Sequence, residues 1–180
     1  MMRIVTGSAK GKKLVSLEGD ATRPTSERIK EAIFSSIQFD VEGRRVLDLF
    51  AGSGQMGLEA ISRGAESAVF IDNSKKSLDV VKHNLAAAKL EDRAKVIETD
   101  YLSYVSMTPD RFDIVFMDPP YSTGLLENAI QSVTRVLTDY AIILCEHPVD
   151  QTMPEAIGSF KHYKMYRFGK LAFTIYRPAE

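Results

Sequence analysis

The sequence predicts an α/β fold on a mostly parallel sheet with helices on both faces. Between Arg44 and His147, apolar strand-like runs alternate with segments of helical spacing. Such alternation pairs strands in parallel through right-handed crossovers. The runs are continuously apolar, as strands covered on both faces must be. A glycine turn, Gly52 to Gly57, follows the first of these runs and opens a helix, a placement typical of nucleotide-binding α/β folds.

The elements follow in order. "RIVTG" and "KLVSL" flank "SAKGK" as a basic hairpin. In "RPTSERIKEAIFSSI", Thr25 or Ser26 can cap a helix whose apolar face is Ile29, Ala32, Ile33 and Ile37. "RRVLDLF" is a strand, "QMGLEAISRG" a helix closed by Gly64, and "SAVFID" a strand. "SKKSLDVVKHNLAAAKL" is a helix capped by Ser74, followed by the strands "AKVIETD" and "FDIVFMD". "GLLENAIQSVTRVL" is a helix, "YAIILCEH" a strand, and "KHYKMYRFGKLAFTIYR" a closing strand pair turning near Gly169. Residues 1–40 are expected to form a basic hairpin-and-helix extension, and 41–180 the main domain.

Composition narrows the function classes. The 180 residues are 44% hydrophobic and 26% charged, enough for one domain with a sizeable core. No apolar run approaches a membrane span, and "MMRIVTGSAKGKK" lacks a signal peptide's apolar core. The single cysteine, Cys145, rules out an internal disulfide and points to a reducing, cytoplasmic setting. It lies in an apolar run and reads as a small buried hydrophobe. His83, His147 and His162 show no zinc-ligand spacing, so no metal is expected. Net charge is −1 but uneven. Residues 1–30 hold seven Lys/Arg against three Asp/Glu, and residues 161–180 five against one. The stretch between them holds eleven against twenty. Basic ends around an acidic middle allow local attraction to phosphates.

Two constellations carry chemistry. Gly52, Gly54 and Gly57 have G-x-G-x-x-G spacing, and Asp72 closes the next strand twenty residues after Gly52. That context fits a nucleotide fingerprint, with the carboxylate accepting from ribose hydroxyls. The ligand can be a dinucleotide, with its pyrophosphate at the helix N-terminus, or S-adenosylmethionine, which carries an ammonium and no phosphate. Little chain remains for the substrate domain a dehydrogenase needs. Asp48 can meet the ammonium or orient the loop. Asp100, at a third strand tip, can bind the adenine amine, with Tyr101 beside the ring. Ligands of open α/β sheets bind beyond the carboxyl ends of the strands.

The second constellation is Asp118-Pro119-Pro120-Tyr121, ending the fourth strand. An exocyclic base amine is a poor nucleophile, because its lone pair is delocalised into the ring. Asp118 can accept one N–H and the carbonyl of Pro119, stiffened by Pro120, the other, turning the lone pair toward a methyl sulfonium. Tyr121 can stack on the base, a contact worth roughly 1–3 kcal/mol. A base must be unpaired or flipped to reach such a pocket.

The motifs "TRPTSERIKEAIF", "VLDLFAGSGQMGLEAISRGA" and "FDIVFMDPPY" together resemble the RsmD-like 16S rRNA guanine-N2 methyltransferases over nearly the whole chain. The resemblance implies a Rossmann-like class I fold. Its sheet would have seven mostly parallel strands and an antiparallel closing strand. It implies S-adenosylmethionine as cofactor and small-subunit rRNA, free or in an assembling particle, as partner. By resemblance, Asp48, Phe50, Ala51, Gly52, Ser53, Gly54, Asp72, Asn73, Asp100 and Tyr101 hold the cofactor. Asp118, Pro119, Pro120 and Tyr121 orient the amine, while Arg23 and Thr25 lie over the site and Lys10, Lys12 and Lys13 contact phosphates. Gln55-Met56 stands where small or apolar residues are common in that family. An adenine-N6 or protein amine methyltransferase, a non-catalytic nucleotide-binding module and a dinucleotide oxidoreductase are the competing readings.

Overall fold

The computed structural model describes residues 1–17, 27–120 and 124–179. In chain order these form α1 (Glu27–Ser36), β1 (Arg45–Asp48), α2 (Gln55–Ser62), β2 (Ser67–Asp72) and α3 (Lys75–Ala88). There follow β3 (Ala94–Glu98), α4 (Tyr101–Met107), β4 (Phe112–Met117), α5 (Leu125–Val133) and β5 (Leu137–Pro148). The chain ends in β6 (Ala156–Ile157), β7 (Phe160–Phe168) and β8 (Leu171–Pro178).

The strands make one sheet in the order β3-β2-β1-β4-β5-β8-β7-β6. Pairing is parallel from β3 to β5 and antiparallel from β5 outward. The sheet therefore has eight strands where seven were expected. The addition is β6, two residues that fold back on Phe160 and Lys161, too short to leave a pattern in the sequence. The closing pair turns at Gly169, as expected, with φ +64°.

Strand parity sorts the core into two layers. Val46, Phe70, Ile114 and Leu144 face α1, α2 and α3. Leu47, Ile71, Val115 and Cys145 face α4 and α5. Burial of successive side chains on both faces is why these strands read as continuous apolar runs. Cys145 is fully buried, and burial pushes its thiol well up from its ordinary value.

Three features go beyond the sequence reading. α4 was not foreseen; Asp100 caps it by accepting from Ser103 N–H at 2.9 Å. The amino-terminal hairpin reduces to one antiparallel bridge, Arg3 to Lys13, with neighbouring bonds such as Ile4 N–H to Lys12 O at 3.0 Å. It spends its donors on the helices beneath instead. Glu59 of α2 accepts from Val5 N–H at 2.9 Å and Thr6 N–H at 3.0 Å, and Asn84 of α3 pairs with both backbone groups of Val15. In α1, the polar Lys30 is as buried as Ile33 and Phe34. Its ammonium donates to Arg3 O and lies 3.5 Å from Glu59. Desolvation lowers its pKa, with Glu59 opposing the shift. The expected caps of α1, Thr25 and Ser26, lie outside the described residues. Among the described residues, no helix is long and apolar enough to cross a membrane.

Candidate active site

A cleft of about 600 Å³ opens at the carboxyl ends of β1, β2, β4 and β5. The chain reverses order there: β1 pairs with β2 on one side and β4 on the other. Two parallel strands diverging from one neighbour leave a crevice beyond their tips, where α/β folds bind ligands.

The glycine turn forms the cleft's floor. Gly52, at φ +56°, has open space where a Cβ would stand, so backbone is presented directly to the cleft. Gly57 has a different reason: a Cβ there would come within 2.4 Å of the Phe70 ring. It lets α2 pack closely on β2. Asn84, fully buried, donates to Ser53 O at 3.0 Å and so ties the turn to the amino-terminal segment it also holds.

Carboxylates fix the turn. Asp72 accepts from Gly52 N–H at 3.0 Å and Ser74 N–H at 2.9 Å. Asp48, 4% exposed, accepts from Gly57 N–H at 3.1 Å in the first turn of α2. Burial and the nearby Asp72 push the Asp48 carboxyl up to about 7, the Gly57 bond opposing them. A pyrophosphate would use N–H donors at the helix N-terminus. Here Asp72 and Asp48 hold two of the donors near that terminus, and a carboxylate beside the turn disfavours an anion there.

Further along, the Phe50 and Tyr101 rings stand 5.2 Å apart at 42°, beside Asp100. Asp100 is exposed, and its bonds to Ser103 hold its carboxyl below the ordinary range. Asp118 and Pro120 line the opposite wall from the end of β4, while Pro119 is buried behind them.

The cleft thus gathers Asp48, Phe50, Ala51, Gly52, Ser53, Asp72, Asn73, Asp100, Tyr101, Asp118 and Pro120. Gly54 stands behind the turn as the cap of α2, at φ +79°. Lys10, Lys12 and Lys13 are exposed and away from the cleft lining. Arg23, Thr25 and Tyr121 lie outside the described residues. Sequence reasoning missed Glu146, a buried carboxylate lining the cleft from β5. The register pairs Met117 with Cys145, which sets Glu146 level with Asp118. An acidic residue ending the apolar run "AIILC" was the available signal. Leu17 of the amino-terminal segment also reaches the lining.

This sheet order, with a glycine turn and strand-tip carboxylates around one cleft, defines a Rossmann-like fold of the methyltransferase class. Comparison with known proteins narrows it. The chain belongs to the family described as "Conserved hypothetical protein 95", whose model matches residues 2–177. It is 32% identical to "Ribosomal RNA small subunit methyltransferase D" of Escherichia coli strain K12, over 98% of this chain and 89% of that protein. It is 35% identical to "Putative rRNA methyltransferase YlbH" of Bacillus subtilis strain 168, over 98% of both. Among solved structures, "Putative methyltransferase yhhF from Escherichia coli" superposes with a TM-score of 0.89 at 30% identity, covering 98% of this chain and 97% of that one. The family resemblance read from the motifs is borne out.

Proposed function

We propose that this chain methylates the exocyclic N2 amine of a guanine in small-subunit ribosomal RNA, with S-adenosylmethionine as donor, in the cytoplasm where that subunit assembles. The carrying observation is the pair of carboxylates on the turn: Asp72 and Asp48 take the Gly52 and Gly57 N–H groups, two of the donors that a pyrophosphate could use. That disfavours a dinucleotide and suits a sulfonium with an ammonium. The names of the full-length relatives supply the RNA.

S-adenosylmethionine, when bound, supplies an electrophilic methyl on a positively charged sulfur. Each Asp72 oxygen accepts one N–H bond, leaving lone pairs for ribose hydroxyls. Phe50 and Tyr101 offer ring faces to the adenine, and Asp100 an acceptor for its amine. Ala51 to Ser53 offer backbone to the methionine portion, and Asn73 lies beside the ribose. Asp118 and the Pro119 carbonyl take the two N–H groups of the guanine amine and set its lone pair toward the methyl. The amine loses one proton, and the exposed Asp118 is the acceptor beside it. By the family resemblance, Tyr121 would stack on the base, and Arg23 and Thr25 would lie over the site. Positioning supplies most of the acceleration, because the methyl is already activated.

Purified protein is given methyl-labelled S-adenosylmethionine and small-subunit rRNA, free or in particles. The digested product is expected to carry label in N2-methylguanosine. Label in N6-methyladenosine or in protein would replace the substrate, and cofactor binding without transfer would make the chain a binding module.

A further inference from the structure

Resting on that RNA reading, we propose that the outer face of β7 is a second RNA-docking surface. It would carry unpaired nucleotides flanking the target base, with phosphates on Lys161, Lys164 and Lys170 and a base on Tyr163. Between Phe160 and Lys170 the chain has four Lys/Arg and no Asp or Glu. All four cations are exposed, as is Tyr163 at 59%.

Arg3, Lys30, Arg45, Arg63, Lys75 and Arg177 each have a carboxylate partner. Among the described residues, Lys161, Lys164, Arg167 and Lys170 have no ion-pair partner. Of the two nearby carboxylates, Asp40 is taken by Arg177 at 2.8 Å, and Glu155 stands exposed beside the start of β7 without bonding Lys161. Arg177 in turn lies 4.9 Å from the centre of the Tyr163 ring, which fixes that ring on the surface. Phe39, 92% exposed, adjoins Asp40 and adds a second aromatic face. Cations without counter-charges interleaved with exposed rings match single-stranded nucleic acid, whose phosphates take the charges and whose bases take the rings.

The surface is continuous with the cleft. Register sets Phe168 beside Leu171 and Tyr166 beside Phe173, and Leu171 and Phe173 line the cleft. Lys170, next to Leu171, therefore stands at its mouth, while Arg167 alternates with Tyr166 and Phe168 and faces the other side of the sheet. From the turn to Lys161 the strand offers a rail of roughly 25 Å.

Charges on an outlying strand also block edge-to-edge pairing, and β6 covers only the first residues of β7. That role is served by charge of either sign, whereas RNA docking needs positive charge. The test uses this difference. In the full chain, Lys161→Glu, Lys164→Glu and Lys170→Glu are combined, with Tyr163→Ala as a separate variant. RNA affinity is measured at several salt concentrations, alongside S-adenosylmethionine affinity and solution mass. The expected result is loss of about two units of salt slope in the triple variant and about tenfold weaker RNA binding by Tyr163→Ala. Cofactor affinity and the solution mass of each variant should match those of the wild type. Wild-type RNA affinity and slope in both variants would overturn the surface while leaving the methyl-transfer reading standing. Wild-type protein that neither binds nor methylates the RNA would overturn both.

Discussion

Glu59 and Asp72 are both carboxylates that hold backbone, yet they do different work. Glu59 is fully buried and takes three donors, Val5 N–H, Thr6 N–H and the Arg63 guanidinium, with the Lys30 ammonium 3.5 Å away. A carboxylate has about four lone-pair sites, so Glu59 is close to saturated. Asp72 takes two N–H donors and faces the cleft with capacity left. The first clamps the amino-terminal segment to α2; the second shapes a loop and can still bind. Burial and acceptor count separate a structural carboxylate from a ligand-facing one, although both look alike in sequence.

The largest effect should come from breaking the Glu59 cluster. Glu59→Gln leaves the Lys30 ammonium buried without a counter-charge and should cost about 3–5 kcal/mol. Denaturant unfolding measures this, and a change under 1 kcal/mol would mean that the segment is held mainly by apolar contacts.

Asp48 should make stability depend on pH. Its carboxyl sits near 7 in the fold, against an ordinary value near 4 in the unfolded chain. The neutral form is favoured by folding. The stabilisation is therefore complete below about pH 4 and is lost as pH rises to about 7, on the order of 4 kcal/mol in total. Unfolding measured across that range should show a slope that Asp48→Asn removes. An unchanged slope in the variant would assign it to other groups.

Asp72→Ala should weaken S-adenosylmethionine binding by about 1.5–3 kcal/mol, the loss of charge-assisted hydrogen bonds. Titration calorimetry reads it, and unchanged affinity would remove Asp72 from the ligand side of the comparison. The smallest effect falls on the exposed lysines of the clamped segment. Replacing Lys10, Lys12 and Lys13 with alanine should lower the salt slope of RNA binding by about 0.7 per lost contact, with cofactor affinity unmoved. An unchanged slope would leave that segment a cover only.

The cleft was legible where local chemistry dictates it. The glycine turn, Asp72, Asp100 and the Asp118-Pro119-Pro120 strand end each need a particular residue at a particular step, so spacing alone placed them. Glu59, Lys30 and Asn84 were not legible, because their roles depend on partners up to 69 residues away. Helical spacing sets Lys30 with Ile33, Phe34 and Ile37 on one face, but a lysine there reads as solvated, and only the docked segment above it explains its burial. α4 was missed for a local reason. Its Asp100 was read as a strand tip, although the same residue caps the helix through Ser103. Glu146 was hidden by its strand, and only the register sets it level with Asp118.

The most direct measurement is nucleoside mass spectrometry of 16S rRNA from cells lacking this protein, complemented by the wild-type chain or by Asp118→Ala. N2-methylguanosine should fall in the deletion and return with the wild-type chain. Asp118→Ala should leave it unrestored, with turnover in vitro down on the order of 10³-fold and cofactor affinity unchanged. Full restoration by Asp118→Ala, or no fall in N2-methylguanosine on deletion, would contradict the assignment of the cleft.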